Sequence, residues 1–265
     1  LANRLSANPS VSVLLLEAGE SDNYIWTKIP VGYLYCMGNP RTDWGFKTAP
    51  TDGLNGRSLN YPRGRILGGC SSINGMIYMR GQAADYEHWR QLGNESWGWD
   101  DVLPYFKKSE DHFAGGDDMH GSGGEWRVEE QRLSWDILDK FRAACIAAGI
   151  PAIDDFNRGN NEGVGYFQVN QRRGWRWSSS TAFLAPARGR KNLTVLTGAT
   201  AQQIVMKGLK VAGLRFHHHN REALAGCRRE VILCSGAIGT PQLLQLSGIG
   251  APELLQSNGI AVRHN

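Results

Sequence analysis

No stretch of this 265-residue chain approaches the roughly 18 consecutive apolar residues of a membrane-spanning helix, and its first residues carry no signal-peptide pattern. The five cysteines, Cys36, Cys70, Cys145, Cys227 and Cys234, have neither paired nor metal-ligand spacing. Their odd number argues against a complete disulfide framework and favours a reducing intracellular compartment. Charge of one sign is also scarce. The formal charge is +4, and although Arg172, Arg173, Arg176, Arg188, Arg190 and Lys191 thicken one region, a nucleic-acid binder concentrates more charge on one face. His217, His218 and His219 are adjacent at a strand end and cannot all face one ion, so no metal site is expected. What remains is 41% apolar residues, ample for the core of one large domain or two small ones.

The most informative stretch runs from Pro62 to Gly81. Gly64, Gly68, Gly69 and Gly75 alternate there with Arg63, Arg65, Ser71, Ser72 and Asn74, which describes backbone that turns sharply against something flat or anionic. Ile66, Leu67, Ile73, Met76 and Ile77 set it apart from a solvated surface loop, so we read it as lining a ligand.

Val11 to Leu16 is a continuous apolar run ending in Glu17, the pattern of a buried parallel strand with a carboxylate at its C-terminal edge. In dinucleotide-binding folds an acid there accepts ribose hydroxyls, about 20 residues after a Gly-x-Gly-x-x-Gly loop. That loop does not occur here. Leu1 to Leu5 reads as the tail of an amphipathic helix ended by Asn8-Pro9, so the expectation is that the first strand and loop precede Leu1. Taken alone, Glu17 reads as an ordinary charged residue at a strand end. Val231 to Cys234 reads as a second buried parallel strand. It turns through Ser235-Gly236 into a helix with Thr240 as cap and Pro241 at its first position, whose N-terminus offers backbone donors to a nucleotide.

Gly-Arg-Ile-Leu-Gly-Gly-Cys-Ser-Ser-Ile-Asn-Gly-Met, from Gly64 to Met76, resembles the first signature of the glucose-methanol-choline oxidoreductases, flavoenzymes that oxidise alcohols with FAD. Leu15 to Gly19 agrees with that family, and Gly236 to Gly250 is similar to its second signature. The three motifs stand in the family's order and span essentially the whole chain. The resemblance implies an α/β (α+β) fold: an FAD-binding, Rossmann-like parallel sheet with a small antiparallel meander, plus a substrate-side domain. Segments 1–94 and 191–265 would bind FAD, both cut short, and 95–190 would be the substrate side. By the same resemblance Glu17 and Ala18 meet the adenosine ribose. Ile66, Gly68, Gly69, Asn74, Gly75, Met76 and Ile77 meet the flavin side and pyrophosphate, the Ala201 backbone meets the adenine, and Ser235 and Gly236 form the nucleotide-facing turn. Ile73 stands where some members carry the histidine that tethers FAD, so the cofactor should be non-covalent.

Elsewhere, 21–61 is an irregular excursion whose Tyr24, Trp26, Tyr33, Tyr35, Trp44 and Phe46 could cover the flavin or simply pack the loop. Helices are expected from Ala83 to Leu92, after Trp99 with Asp100 or Asp101 as cap, and after Ser134. The last carries Ile137, Phe141, Cys145 and Ala148 on a core-facing side. Leu193 to Leu196, Ala201 to Met206 and Val211 to Phe216 suggest the meander.

Alcohol oxidation by a flavin needs a base for the hydroxyl proton. In the resembled family that histidine and its partner lie C-terminal of the second signature, so no catalytic residue is assigned. His88, His112, His120 and His264 default to structural or solvent roles. The implied activity is oxidation of CH–OH groups, choline or a primary alcohol to an aldehyde, with these residues as a partial cofactor-binding portion expected to be inactive alone. A non-catalytic binding or interaction module on the FAD fold is the alternative. The electron acceptor (oxygen, a quinone or a carrier protein) and association with a membrane surface leave no motif.

Overall fold

A run of large apolar side chains from Val13 to Leu16 suits a pleated surface, and a tight turn at Ala18-Gly19 then ends the strand. In the computed structural model, which describes residues 1–265, the order begins α1 (Ala2–Ser6), β1 (Val13–Leu16), α2 (Tyr33–Cys36), α3 (Ala83–Gln91) and α4 (Trp99–Ser109). It continues through β2 (Glu110–His112), β3 (Trp126–Glu130), α5 (Asp136–Ala147), β4 (Gln168–Val169), β5 (Gln171–Arg172) and β6 (Trp175–Arg176). The last elements are β7 (Leu193–Leu196), β8 (Ala199–Lys207), β9 (Lys210–His218), β10 (Arg221–Gly226), α6 (Gly236–Leu246) and α7 (Pro252–Ser257). No helix is long and apolar enough to cross a membrane. Residues 1–21, 65–67 and 190–265 form one compact unit, and residues 22–64 and 68–189 form a second.

In the first unit β1 and β7 pair in parallel, Val13 opposite Leu193 through Leu16 opposite Leu196. The ladder runs on past β1, because the Glu17 N–H donates to Leu196 O at 3.0 Å and the Ala199 N–H to Glu17 O at 2.9 Å. Strands β8, β9 and β10 form an antiparallel meander. Ile204, Leu214 and Leu243 are its buried core, with Leu16, Ala201 and Leu233 packed partly against them. The Ser247 hydroxyl accepts the Ile204 N–H at 2.8 Å and donates to Leu243 O at 2.6 Å, which ties the end of α6 to β8.

Four expectations need correction here. Leu193 to Leu196 leaves the meander to pair with β1, and Arg221–Gly226 supplies the third meander strand. The Val13–Leu16 strand is only half-buried, with Leu14 43% exposed, because it has a single neighbour. Val231 to Cys234 is not a strand: nothing pairs with it, Ile232 is 44% exposed, and only Leu233 reaches the core cluster. Helix α6 begins at Gly236, so Thr240 is not its cap and Pro241 sits inside it.

The second unit holds a mixed sheet, β2 parallel to β3 and β3 antiparallel to β4, and the two-residue ladder β5–β6. Strand β4 is confined to Gln168–Val169. Asp101 accepts the Gly98 N–H and caps α4 as anticipated, whereas α5 starts after Trp135 with no side-chain cap from Ser134. The apolar side of α5 is not core either. Ile137 is 65% and Phe141 63% exposed, since its periodicity asks for a cover that no element of this unit provides. In the 21–61 excursion Trp26 stacks on Tyr35 with centroids 4.2 Å apart, Trp44 lies parallel to Phe46, and Arg41 sits over Tyr24, which is loop packing.

The polar centre of this unit is an ion cluster. Fully buried Glu110 faces an Arg80 nitrogen at 2.9 Å and His120 Nδ1 at 3.1 Å, and accepts the Gly121 N–H at 2.7 Å. His120 Nε2 lies 2.7 Å from Asp155, which also faces Arg158. Burial alone would discharge His120, but its bonds to Asp155 and Glu110 outweigh that and push its pKa up to about 9. The same imidazolium holds Glu110 and Asp155 below the usual carboxylate range.

Candidate functional site

In the first unit the site residues gather at the C-terminal end of β1. Glu17 directly follows the strand, and its Oε1 accepts the Gly19 N–H at 2.8 Å. Burial pushes its pKa up despite that bond and the nearby positive charge of Arg65. A half-buried acid in this state gains from any further donor, because each charge-assisted hydrogen bond offsets lost hydration. Gly19 is required by packing. A Cβ on it would fall 1.9 Å from Arg65 O, and the parallel bridge of Glu20 with Ile66 depends on that approach. Ile66 itself is buried, so only its backbone lines this edge. Ala18 is half-buried beside Glu17, and Ala201 lies at a register shift of β8 against β9, where the backbone departs from the regular ladder. Ser235 and Gly236 are exposed at the start of α6, whose N-terminus has no side-chain cap and no acid in its first turn.

In the second unit the glycine-rich turn divides its glycines between two tasks. A Cβ on Gly64 would meet Gly69 and Cys70 backbone at 2.3–2.6 Å, and one on Gly68 (φ +90°) would meet Ser72 Oγ at 2.4 Å, so these two pack the turn against itself. Gly69 and Gly75 have nothing within 4 Å of such a Cβ and leave the outer face open to a flat group. Asn74 and Ile77 are exposed, whereas Ile73 and Met76 point inward with 2% and 6% exposure. Ser71 Oγ donates to Gly68 O at 2.6 Å and accepts the Ser179 N–H at 2.9 Å, holding the turn closed.

The expected residues therefore form two groups, Glu17, Ala18, Ile66, Ala201, Ser235 and Gly236 in one unit and Gly68, Gly69 and Asn74 to Ile77 in the other. Of the four histidines outside the His217–His219 run, His88 and His264 are exposed, and His112 and His120 are buried with rings stacked 3.9 Å apart. Ligand-capable atoms of His112, His120 and Asp155 lie within 4.8 Å of one another. Both His120 nitrogens already face carboxylates, and guanidinium groups brace those carboxylates, so the geometry is that of a buried ion cluster. Sequence reasoning missed this cluster, since Arg80, Glu110, His120 and Asp155 share no spacing that reveals their contact. It also missed Arg176, counted only among scattered charges, which is 1% exposed.

In the first unit a parallel strand edge carrying an acid and an uncapped helix N-terminus are features shared with nucleotide-cofactor proteins. The chain belongs to the GMC oxidoreductase family, whose model matches residues 10–260. It is 42% identical to an alcohol dehydrogenase [acceptor] of Pseudomonas putida, over 100% of this chain and 49% of that protein. It is 40% identical to an oxygen-dependent choline dehydrogenase of Photobacterium profundum, over 100% of this chain and 47% of that one. Among solved structures it superposes on pyridoxine 4-oxidase from Mesorbium loti with a TM-score of 0.95 at 35% identity, covering 100% of this chain and 52% of the other. The chain thus spans about half the length of these relatives.

Proposed function

We propose that these residues form the FAD-holding portion of an oxidoreductase acting on CH–OH groups, with choline or a primary alcohol as substrate. The observation that carries the reading is Glu17 at the end of β1, partly desolvated and braced by the Gly19 N–H. Bound FAD would supply the hydride acceptor. Glu17 would accept the ribose hydroxyls with Ala18 beside it, and the Ala201 backbone would meet the adenine edge. Ser235 and Gly236 would offer α6 N–H groups to phosphate oxygens. In the second unit Gly68, Gly69 and Asn74 to Ile77 would support the flavin, the bare faces of Gly69 and Gly75 leaving room for its ring. Ile73 is buried and has no nucleophile, so the cofactor is held without a covalent bond and leaves on acid denaturation. No histidine in residues 1–265 is assigned as base: His120 serves the ion cluster with His112 stacked on it, His217 to His219 sit at the end of β9, and His88 and His264 lie at neither signature.

Titration of FAD into the purified protein, followed by flavin fluorescence, tests the cradle. Saturable quenching that Glu17→Ala weakens is expected, and no binding by the unaltered chain overturns it. The substrate class is tested in a chain that also carries the family's catalytic region, by anaerobic addition of choline, a primary aliphatic alcohol and an aromatic alcohol. A flavin band that none of the three bleaches overturns the alcohol reading.

A further inference from the structure

Arg176 is 1% exposed and has no carboxylate partner; the only ionisable group acting on it is the Cys36 thiol. Desolvation lowers its pKa to about 10, which still leaves it a cation at neutral pH. A buried guanidinium normally sits opposite an acid, because removing a charge from water is costly without compensation. Here the donors go to oxygens of two segments. Nη1 donates to Ser71 O at 3.2 Å and to Asn74 Oδ1 at 3.0 Å, and Nη2 reaches Pro30 O at 3.5 Å. Nε is buried without a partner.

Asn74 Oδ1 is the shared acceptor, since it also takes the Met76 N–H at 3.0 Å. Met76 has φ +64°, a left-handed conformation that side-chain-bearing residues rarely adopt, and it is buried. Such a conformation persists only where surrounding bonds over-determine it. Two bonds do so: Asn74 Oδ1 grips its N–H, and the Asn170 N–H donates to its carbonyl at 2.8 Å. The first has an orientation only because Asn74, otherwise exposed, is fixed by Arg176. Arg176 is itself fixed through its backbone, whose N–H donates to Lys28 O at 2.9 Å.

We propose that Arg176 is a positioning residue for cofactor binding, which holds Asn74 so that the Asn74–Met76 backbone keeps its left-handed bend and presents the open face at Gly75. The proposal rests on the FAD reading above for the identity of the ligand, and on the hydrogen bonds alone for the hold on the turn. A lysine keeps the charge but lacks the planar fork that spans two acceptors, so it should restore the fold without fully restoring the turn.

The test compares the unaltered chain with Arg176→Lys and Arg176→Met. Without ligand, amide exchange across 71–77 should rise about tenfold in both variants while β3 stays protected, as expected for loss of a charge-assisted bond. Should Arg176→Met lose protection everywhere, the lysine variant decides, and unchanged exchange at 71–77 in it overturns the proposal. With FAD, both variants should bind about tenfold more weakly and show an altered visible flavin band. Binding and spectra equal to the unaltered chain overturn the positioning role and leave the cradle standing. Failure of the unaltered chain to bind FAD removes the cofactor reading, and the exchange arm alone then judges the hold on the turn.

Discussion

A Cβ placed on Gly19 would fall 1.9 Å from the carbonyl oxygen of Arg65, so the strand end that carries Glu17 and the strand-like segment at 65–67 touch backbone to backbone. The Leu67 N–H donates to Glu20 O at 3.0 Å only because of that approach. Gly19→Ala should therefore force the two segments apart at a cost of about 1–3 kcal/mol, as overpacking does. Chemical denaturation checks this: the midpoint should fall while the slope is unchanged.

Gly75 is the opposite case. Its φ is not positive and a Cβ there meets nothing within 4 Å, so Gly75→Ala should change stability by less than about 0.5 kcal/mol. Under the proposed function the added methyl enters the space of the flavin, and FAD affinity should drop about tenfold or more, a cost of ~1.4 kcal/mol. A fluorescence titration showing unchanged affinity would remove Gly75 from the cradle.

Glu17→Gln separates binding from folding. Burial raises the Glu17 pKa, so its ionised form weakens the ligand-free fold above that pKa, and the neutral amide should melt higher than the parent at pH 7. Under the proposed function, loss of charge-assisted bonds to ribose should meanwhile weaken FAD binding by about 1.5–3 kcal/mol. Calorimetry without ligand and titration with FAD give the two numbers, and a fall in both would mean that Glu17 is mainly structural.

Much of this was legible in the sequence because it rests on short-range chemistry. The glycines of Gly64 to Met76 announced backbone that turns sharply, and Gly64 and Gly68 pack that turn against itself. The apolar runs Ala201 to Met206 and Val211 to Phe216 announced the β8–β9 hairpin. What failed depended on partners at long range. Val231 to Cys234 has the composition of a buried strand, yet a strand forms only where another lies beside it, and the apolar side of α5 states a need for cover without naming what meets it. Arg176 and Asn74 stand 102 positions apart in the chain, and no local pattern links them.

The His120 cluster sets the pH range of stability. The His120 pKa is about 9 in the fold against an ordinary 6.5, so its contribution is complete below 6.5 and is lost as pH rises toward 9. Glu110 and Asp155 are shifted down from 4.5 and 3.8, so theirs is present above those values and is lost as pH falls through the lowered ones. His112, stacked on His120, has its pKa lowered by burial and by its neighbour's charge, so the alkaline slope belongs to His120. The melting temperature should therefore be highest at about pH 5–6.5 and decline toward pH 9. His120→Gln should cost about 3–5 kcal/mol at pH 6, because Glu110 and Asp155 lose the cation between them, and should flatten the decline. Thermal melts of both proteins across this range decide it: an equal alkaline slope in the variant would mean that a different group titrates.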